Sequence, residues 1–148
     1  MATSFDVEIV ADNTEEVLQK LKENTEAALE ACGIQAVGHA QDIITENIPR
    51  HPGSWYTPKM GSGLRGSISH IVKDNTCYVG TNNEHAIYNE YGTGIYADGG
   101  GRQSPWAYQD DKGHWHWTRG IKPIHFLKDA FKKNKEEYRA ILIEYLSK

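Results

Sequence analysis

Val79-Gly80-Thr81-Asn82-Asn83-Glu84-His85-Ala86-Ile87-Tyr88-Asn89-Glu90-Tyr91-Gly92-Thr93-Gly94 is the stretch on which the reading of this chain turns. An alternating run ends at Val79 and Gly80 breaks it. Ala86, Ile87, Glu90 and Tyr91 then fall three or four apart, which predicts a short helix. Gly92 and Gly94 stop that helix, since glycine adopts the left-handed conformation of a C-terminal cap at little cost. Strand, turn, short helix and glycine stop in so few residues describe a tight corner. No nucleophile with a base lies within it, so the corner reads as framework.

Upstream, Ser67 to Val72 and Thr76 to Gly80 read as two strands joined by a turn at Lys73-Asp74-Asn75. Before them, Arg50 to Gly63 is rich in proline and glycine and carries Trp55-Tyr56; residues 49–63 are expected to be a mobile loop. Asp12-Asn13-Thr14 followed by Glu15 and Glu16 is a helix start, with polar cap candidates and acids at the positive end. The helical pattern runs to about Asn47, where Pro49 ends it. Some thirty residues of helix span roughly 45 Å at 1.5 Å per residue. Gly33 and Gly38 weaken it by up to about 1 kcal/mol each relative to alanine, unless its small residues admit another helix at close range. Phe5, Val7 and Ile9 alternate with polar neighbours and predict a short N-terminal strand.

Downstream, Ala97 to Gly101 is glycine-rich, and 95–105 is expected to be a second mobile loop. Trp106-Ala107-Tyr108-Gln109 and His114-Trp115-His116-Trp117 flank a polar tip with Gly113, a second hairpin with aromatic arms. Pro123 opens a last helix on which Phe126, Leu127, Ala130, Phe131, Tyr138, Ile141, Leu142 and Tyr145 recur. The sum is one α+β domain over 1–148: a small antiparallel β-sheet, two hairpins plus the N-terminal strand, packed against two long α-helices. Leu64, Ile68, Val79, Ile87 and Tyr91 are the expected core.

The totals narrow the function. A chain of 148 residues, 39% hydrophobic and 24% charged, suits one soluble globular domain with a proper core. Its net charge of -4 argues against a basic nucleic-acid binder. Lys128, Lys132, Lys133 and Lys135 are interleaved with Asp129, Glu136 and Glu137 and read as a solvated helix face. Cys32 and Cys77 stand in no metal-type spacing and suit a reducing compartment. No apolar run approaches the roughly 18 residues of a membrane span, so a cytoplasmic chain, or a part of something larger, is expected.

The candidate chemistry is thin. His114 and His116 share one side of a strand, and such a pair can anchor a metal with Asp110 or Asp111. Glu84 and Glu90 point to different sides of a short helix. Ser67, Ser69 and His70 lack a nucleophile elbow, and Gly61-Ser62-Gly63 lacks the ending of a phosphate-binding loop. No catalytic residue, cofactor or metal is expected. The aromatic excess says more: Trp55, Tyr56, Trp106, Tyr108, Trp115 and Trp117 are the candidate subunit-interface residues, because large rings bury much area at small entropic cost.

Gly63-Leu64-Arg65-Gly66-Ser67-Ile68, Val79-Gly80-Thr81-Asn82, Ala86-Ile87-Tyr88-Asn89-Glu90-Tyr91-Gly92-Thr93 and Pro123-Ile124-His125-Phe126-Leu127 with Ala130 occur in that order. This series, over roughly residues 12–146, resembles the minor tail components of tailed bacteriophages related to that of the HK-type lambdoid phages. The resemblance implies a non-enzymatic virion protein for tail completion or head–tail joining. It implies a homo-oligomeric ring at the neck, expected to be hexameric, beside other neck and tail proteins. DNA would pass through without sequence-specific binding, and the protein would be in host cytoplasm during assembly. Ile95 to Gly120 is the least familiar region. The alternative is a prophage-encoded metal-dependent or host-directed protein that uses the His114/His116 hairpin.

Overall fold

A computed structural model describes residues 6, 8–47 and 58–148, with 58–62 as backbone only. Its spine is α1 (Thr14–Asn47), 34 residues long. The start is built as the sequence dictates: the Thr14 amide donates to Asp12 Oδ1 at 3.0 Å and the Val17 amide to the Asn13 carbonyl at 3.0 Å. Along the rest of the chain come α2 (Pro58–Ser67), β1 (Ser69–Lys73), β2 (Thr76–Gly80), α3 (Ala86–Tyr91), a short 3₁₀ turn at Gly94–Tyr96, β3 (Trp106–Gln109), β4 (Trp115–Thr118), α4 (Phe126–Lys133) and α5 (Lys135–Leu146). The α+β class holds.

The core gathers on the C-terminal half of α1. Ala40 and Ile44 meet Leu64, Ile68, Ile124, Phe126 and Ala130, with Val79 and Leu127 packed at the edge. α5 lies along α1 further up, where Ala28, Cys32 and Ala36 are buried, and the Cys32 thiol donates to the Tyr138 carbonyl at 3.6 Å. Small residues there admit the neighbouring helix closely, as the pattern allowed. At Gly33 the close neighbour is a hairpin instead: a Cβ would come within 2.9 Å of Cys77 Sγ and fall on the His70 ring.

β1 and β2 pair in register from Ser69↔Gly80 to Lys73↔Thr76. Asp74 and Asn75 both take positive φ, 51° and 56°, the conformation of a two-residue turn whose twist matches the strands. β3 and β4 form a separate ladder, Trp106↔Thr118 to Gln109↔Trp115. The expected single sheet is therefore two unconnected two-stranded ladders.

Four expectations are corrected. Among the described residues the N-terminal strand does not form: Ile9 and Val10 are exposed, because β1–β2 accepts no third strand. Phe5 and Val7 lie outside the described residues. The loop expected over 49–63 is helical from Pro58, whose missing amide donor is harmless in a first turn; residues 49–57 lie outside the described residues. The last helix begins at Phe126, beyond Pro123, because His125 is left-handed (φ 55°), and it breaks at Asn134 into α4 and α5. At that break the Asn134 side-chain amide bonds back to the Ala130 carbonyl at 2.9 Å. Lastly, Ile87 (59% exposed) and Tyr91 (53%) are not core; α3 buries Asn89 and Glu90 instead.

Phe126 is fully buried at the meeting of α1, α2 and α4. Phe126→Ala is expected to cost about 3–5 kcal/mol, measured by denaturant unfolding.

Candidate functional site

The corner after β2 is assembled by polar groups. The Glu90 carboxylate accepts the Leu127 amide at 2.8 Å and the Lys128 amide at 2.9 Å. These are free donors of the first turn of α4, where a negative charge also meets the helix dipole. His125, the residue before α4, makes no side-chain cap bond of its own, so Glu90 on α3 caps a helix far along the chain. Beside it the Ile124 amide donates to the Asn89 carbonyl at 2.7 Å, and the Asn89 side-chain amide to the His85 carbonyl at 2.8 Å. His125 Nε2 lies 3.4 Å from Asp98 Oδ2.

Next to this cap two backbone segments cross at contact. The Thr93 amide donates to the Ile121 carbonyl at 2.9 Å, and the Ile95 amide to the Arg119 carbonyl at 3.0 Å. The Ile121 amide closes the ring onto Thr93 Oγ1 at 2.9 Å. Gly94 (φ 62°) and Gly120 (φ 121°) face each other across this junction. A Cβ on either would fall on the opposite backbone, on Arg119 and on Thr93 respectively. Only glycine fits here, by conformation and by space. The second hairpin is thus clamped at its base to the same corner that caps α4.

No family model, curated protein or solved structure matches this chain. The functional argument therefore rests on what the hairpin presents.

Cross-strand pairing puts Ala107 with Trp117 and Gln109 with Trp115 on one face, and Trp106 with Thr118 and Tyr108 with His116 on the other. Trp115 is 69% exposed and Trp117 76%. Trp106 and Tyr108 are half-buried: the Arg102 guanidinium sits 5.5 Å from the Trp106 ring, and Tyr108 stacks on His116 at 5.3 Å. The six interface candidates thus divide three ways. Trp115 and Trp117 form an open aromatic face, Trp106 and Tyr108 are partly occupied within the chain, and Trp55 and Tyr56 lie outside the described residues.

Asp110 organises the hairpin tip. Its Oδ1 accepts the Lys112 and His114 amides, each at 2.9 Å, and its Oδ2 lies 2.8 Å from His116 Nε2 and 3.4 Å from His114 Nδ1. His114 and His116 do share a side, as the spacing predicted, but both turn to one carboxylate oxygen. Among the described residues no group of three or more His, Cys, Asp or Glu is arranged to hold a metal ion. Of the remaining candidates, Ser67 bonds to the Leu64 carbonyl and His70 to Glu30, so the serine and histidine are not brought together. Glu90 is engaged by the first amides of α4. The Glu30–His70 contact and the His39–Tyr138 hydrogen bond at 2.9 Å join elements distant in sequence, and no local pattern announces them.

The hydrogen bond from His116, then those from the His114 and Lys112 amides, hold the Asp110 carboxyl down at about 2 against an ordinary 3.8. A carboxylate with a lowered folded value contributes stability that is present above the ordinary value and lost as pH falls toward about 2. Tryptophan fluorescence of the hairpin is expected to change over that interval, and Asp110→Asn to remove the change.

Proposed function

We propose that this chain is a structural subunit of a tailed bacteriophage or prophage. In this reading it is a tail-completion or head–tail connector protein that assembles with its own copies into a ring, expected to be hexameric, at the neck. It is made in the host cytoplasm, joins other neck and tail proteins, and lets DNA pass without reading its sequence. No catalytic role enters the proposal.

The observation that carries the reading is the tryptophan face of β3–β4. A two-stranded ribbon is marginal in water by itself, yet here it is pinned at its base and turns Trp115 and Trp117 outward. Exposed neighbouring tryptophans rimmed by polar residues are the make-up of an interface that another molecule covers. The first turns of α1 support the same view, since Val17, Leu18 and Leu21 are exposed there, above the buried positions that begin at Ala28.

The motifs behind the phage resemblance also fall into one functional pattern. Leu64, Ile68, Ile124, Phe126 and Ala130 are core, and Glu90, Gly92 and Thr93 build the corner. The residues that carry the resemblance thus sit in the frame, and the less familiar stretch from Ile95 to Gly120 supplies the arm.

The test is electron microscopy of lysates from a phage or prophage lacking this gene, complemented by wild-type protein or by Trp115→Ala. Without the gene, DNA-filled heads beside free tails are expected. Trp115→Ala is expected to fold normally by circular dichroism and to restore fewer joined particles. Intact virions in normal number without the gene would overturn the reading.

A further inference from the structure

Two exposed helix faces of opposite charge find little use within the chain. On α1, Glu16, Glu23, Glu26 and Glu30 are spaced seven, three and four apart and so share one side of the helix, with Lys20 among them, four residues after Glu16 and three before Glu23. This side borders an open groove of about 830 Å³ between α1 and the β1–β2 turn. Glu23, Glu26, Glu30 and Asp74 line the groove against only Lys22 and Lys73. Glu30 bonds to His70 and Glu23 to Gln19, while Glu16 and Glu26 make no ion pair among the described residues.

On α4 and α5, Lys128, Lys132, Lys135 and Arg139 are spaced four, three and four apart. Asn134 (φ -111°) ends α4 and starts α5, whose Glu137 and Tyr138 amides bond to its carbonyl at 3.1 and 3.2 Å, so the cations fall in two pairs, one on each helix. All four cations are exposed. Two of the acids interleaved with them are engaged elsewhere: Asp129 holds Lys133 at 2.9 Å, and Glu137 meets His39 at 3.2 Å. Among the described residues, none of the four cations makes an ion pair.

We infer that these faces are the two halves of a head-to-tail contact between copies of this chain, the basic face of α4–α5 lying along the acidic face of α1 in the next copy. The inference rests on the ring reading above and names the surfaces that would build the ring. Glu16 to Glu30 covers about 21 Å of helix, and Lys128 with Lys132 on α4 and Lys135 with Arg139 on α5 offer two basic pairs to it. Each copy offers its basic face to the next and its acidic face to the one before, a heterologous contact that propagates until it closes. Complementary charge also fixes the register and disfavours pairing of like faces.

The experiment uses two charge-reversed variants of the full chain, Glu23→Lys/Glu26→Lys and Lys132→Glu/Lys135→Glu, each checked for native circular dichroism. Sedimentation at low ionic strength is expected to find each variant monomeric alone. Mixed in equal amounts they are expected to associate, because every contact between unlike copies then joins opposite charges, and added salt should reverse this. A mixture that stays monomeric overturns the proposal. Rings formed by either variant alone overturn these surfaces while leaving the ring reading standing; failure of that reading shows instead as intact virions without the gene. Binding of duplex DNA by the wild type, lost in Lys132→Glu/Lys135→Glu, would assign the basic face to phosphates and overturn the contact as well.

Discussion

The placement of the Glu90 carboxylate on the first turn of α4 is the interaction on which the remaining architecture depends. Two charge-assisted, part-buried hydrogen bonds to backbone amides, each worth roughly 1.5–3 kcal/mol, tie α3 to α4. α4 in turn carries Phe126 and Ala130 into the core against α1. Because the next residues, Gly92 to Gly94, cross the backbone at Arg119 to Ile121 without room for a Cβ, the same corner fixes where the second hairpin leaves the body. One short helix therefore sets both the core and the arm.

This division of labour explains a polar chain with a modest core. The lower half of α1 packs against helices and the first hairpin, whereas its first turns and the face of β3–β4 remain uncovered. The hairpin base joins the body near α4, which packs on α1 at Ala40 and Ile44. Leu21 lies some twenty residues up that helix, roughly 30 Å away at 1.5 Å per residue.

Much of the frame was legible because it is local. The cap at Asp12 to Thr14, the β1–β2 turn, the glycine stop after Tyr91 and the shared side of His114 and His116 all follow from residue type and short spacing. The buried side of α3 was not legible. Periodicity favoured Ile87 and Tyr91, but the interior offered amide donors at Leu127 and Lys128, which the Glu90 carboxylate meets with one oxygen each, so Glu90 turned inward. That partner lies more than thirty residues away and leaves no local trace. The Ile9 alternation misled for a related reason: a strand pattern needs an edge to pair with, and β1–β2 offers none that it uses. The tryptophans were legible as interface candidates, yet only the register of β3 against β4 separates the open pair from the half-covered one.

Amide hydrogen exchange at Leu127 and Lys128, compared between the wild type and Glu90→Gln, tests the corner most directly. Glutamine keeps one acceptor and turns an N–H₂ donor toward the second amide, so it removes half of the cap with little change in volume. If Glu90 holds the frame, both amides are strongly protected in the wild type, and the substitution lowers protection there and at Thr93 and Ile95 together. Fast exchange of Leu127 and Lys128 in the wild type, or an exchange pattern unchanged by Glu90→Gln, would contradict the account.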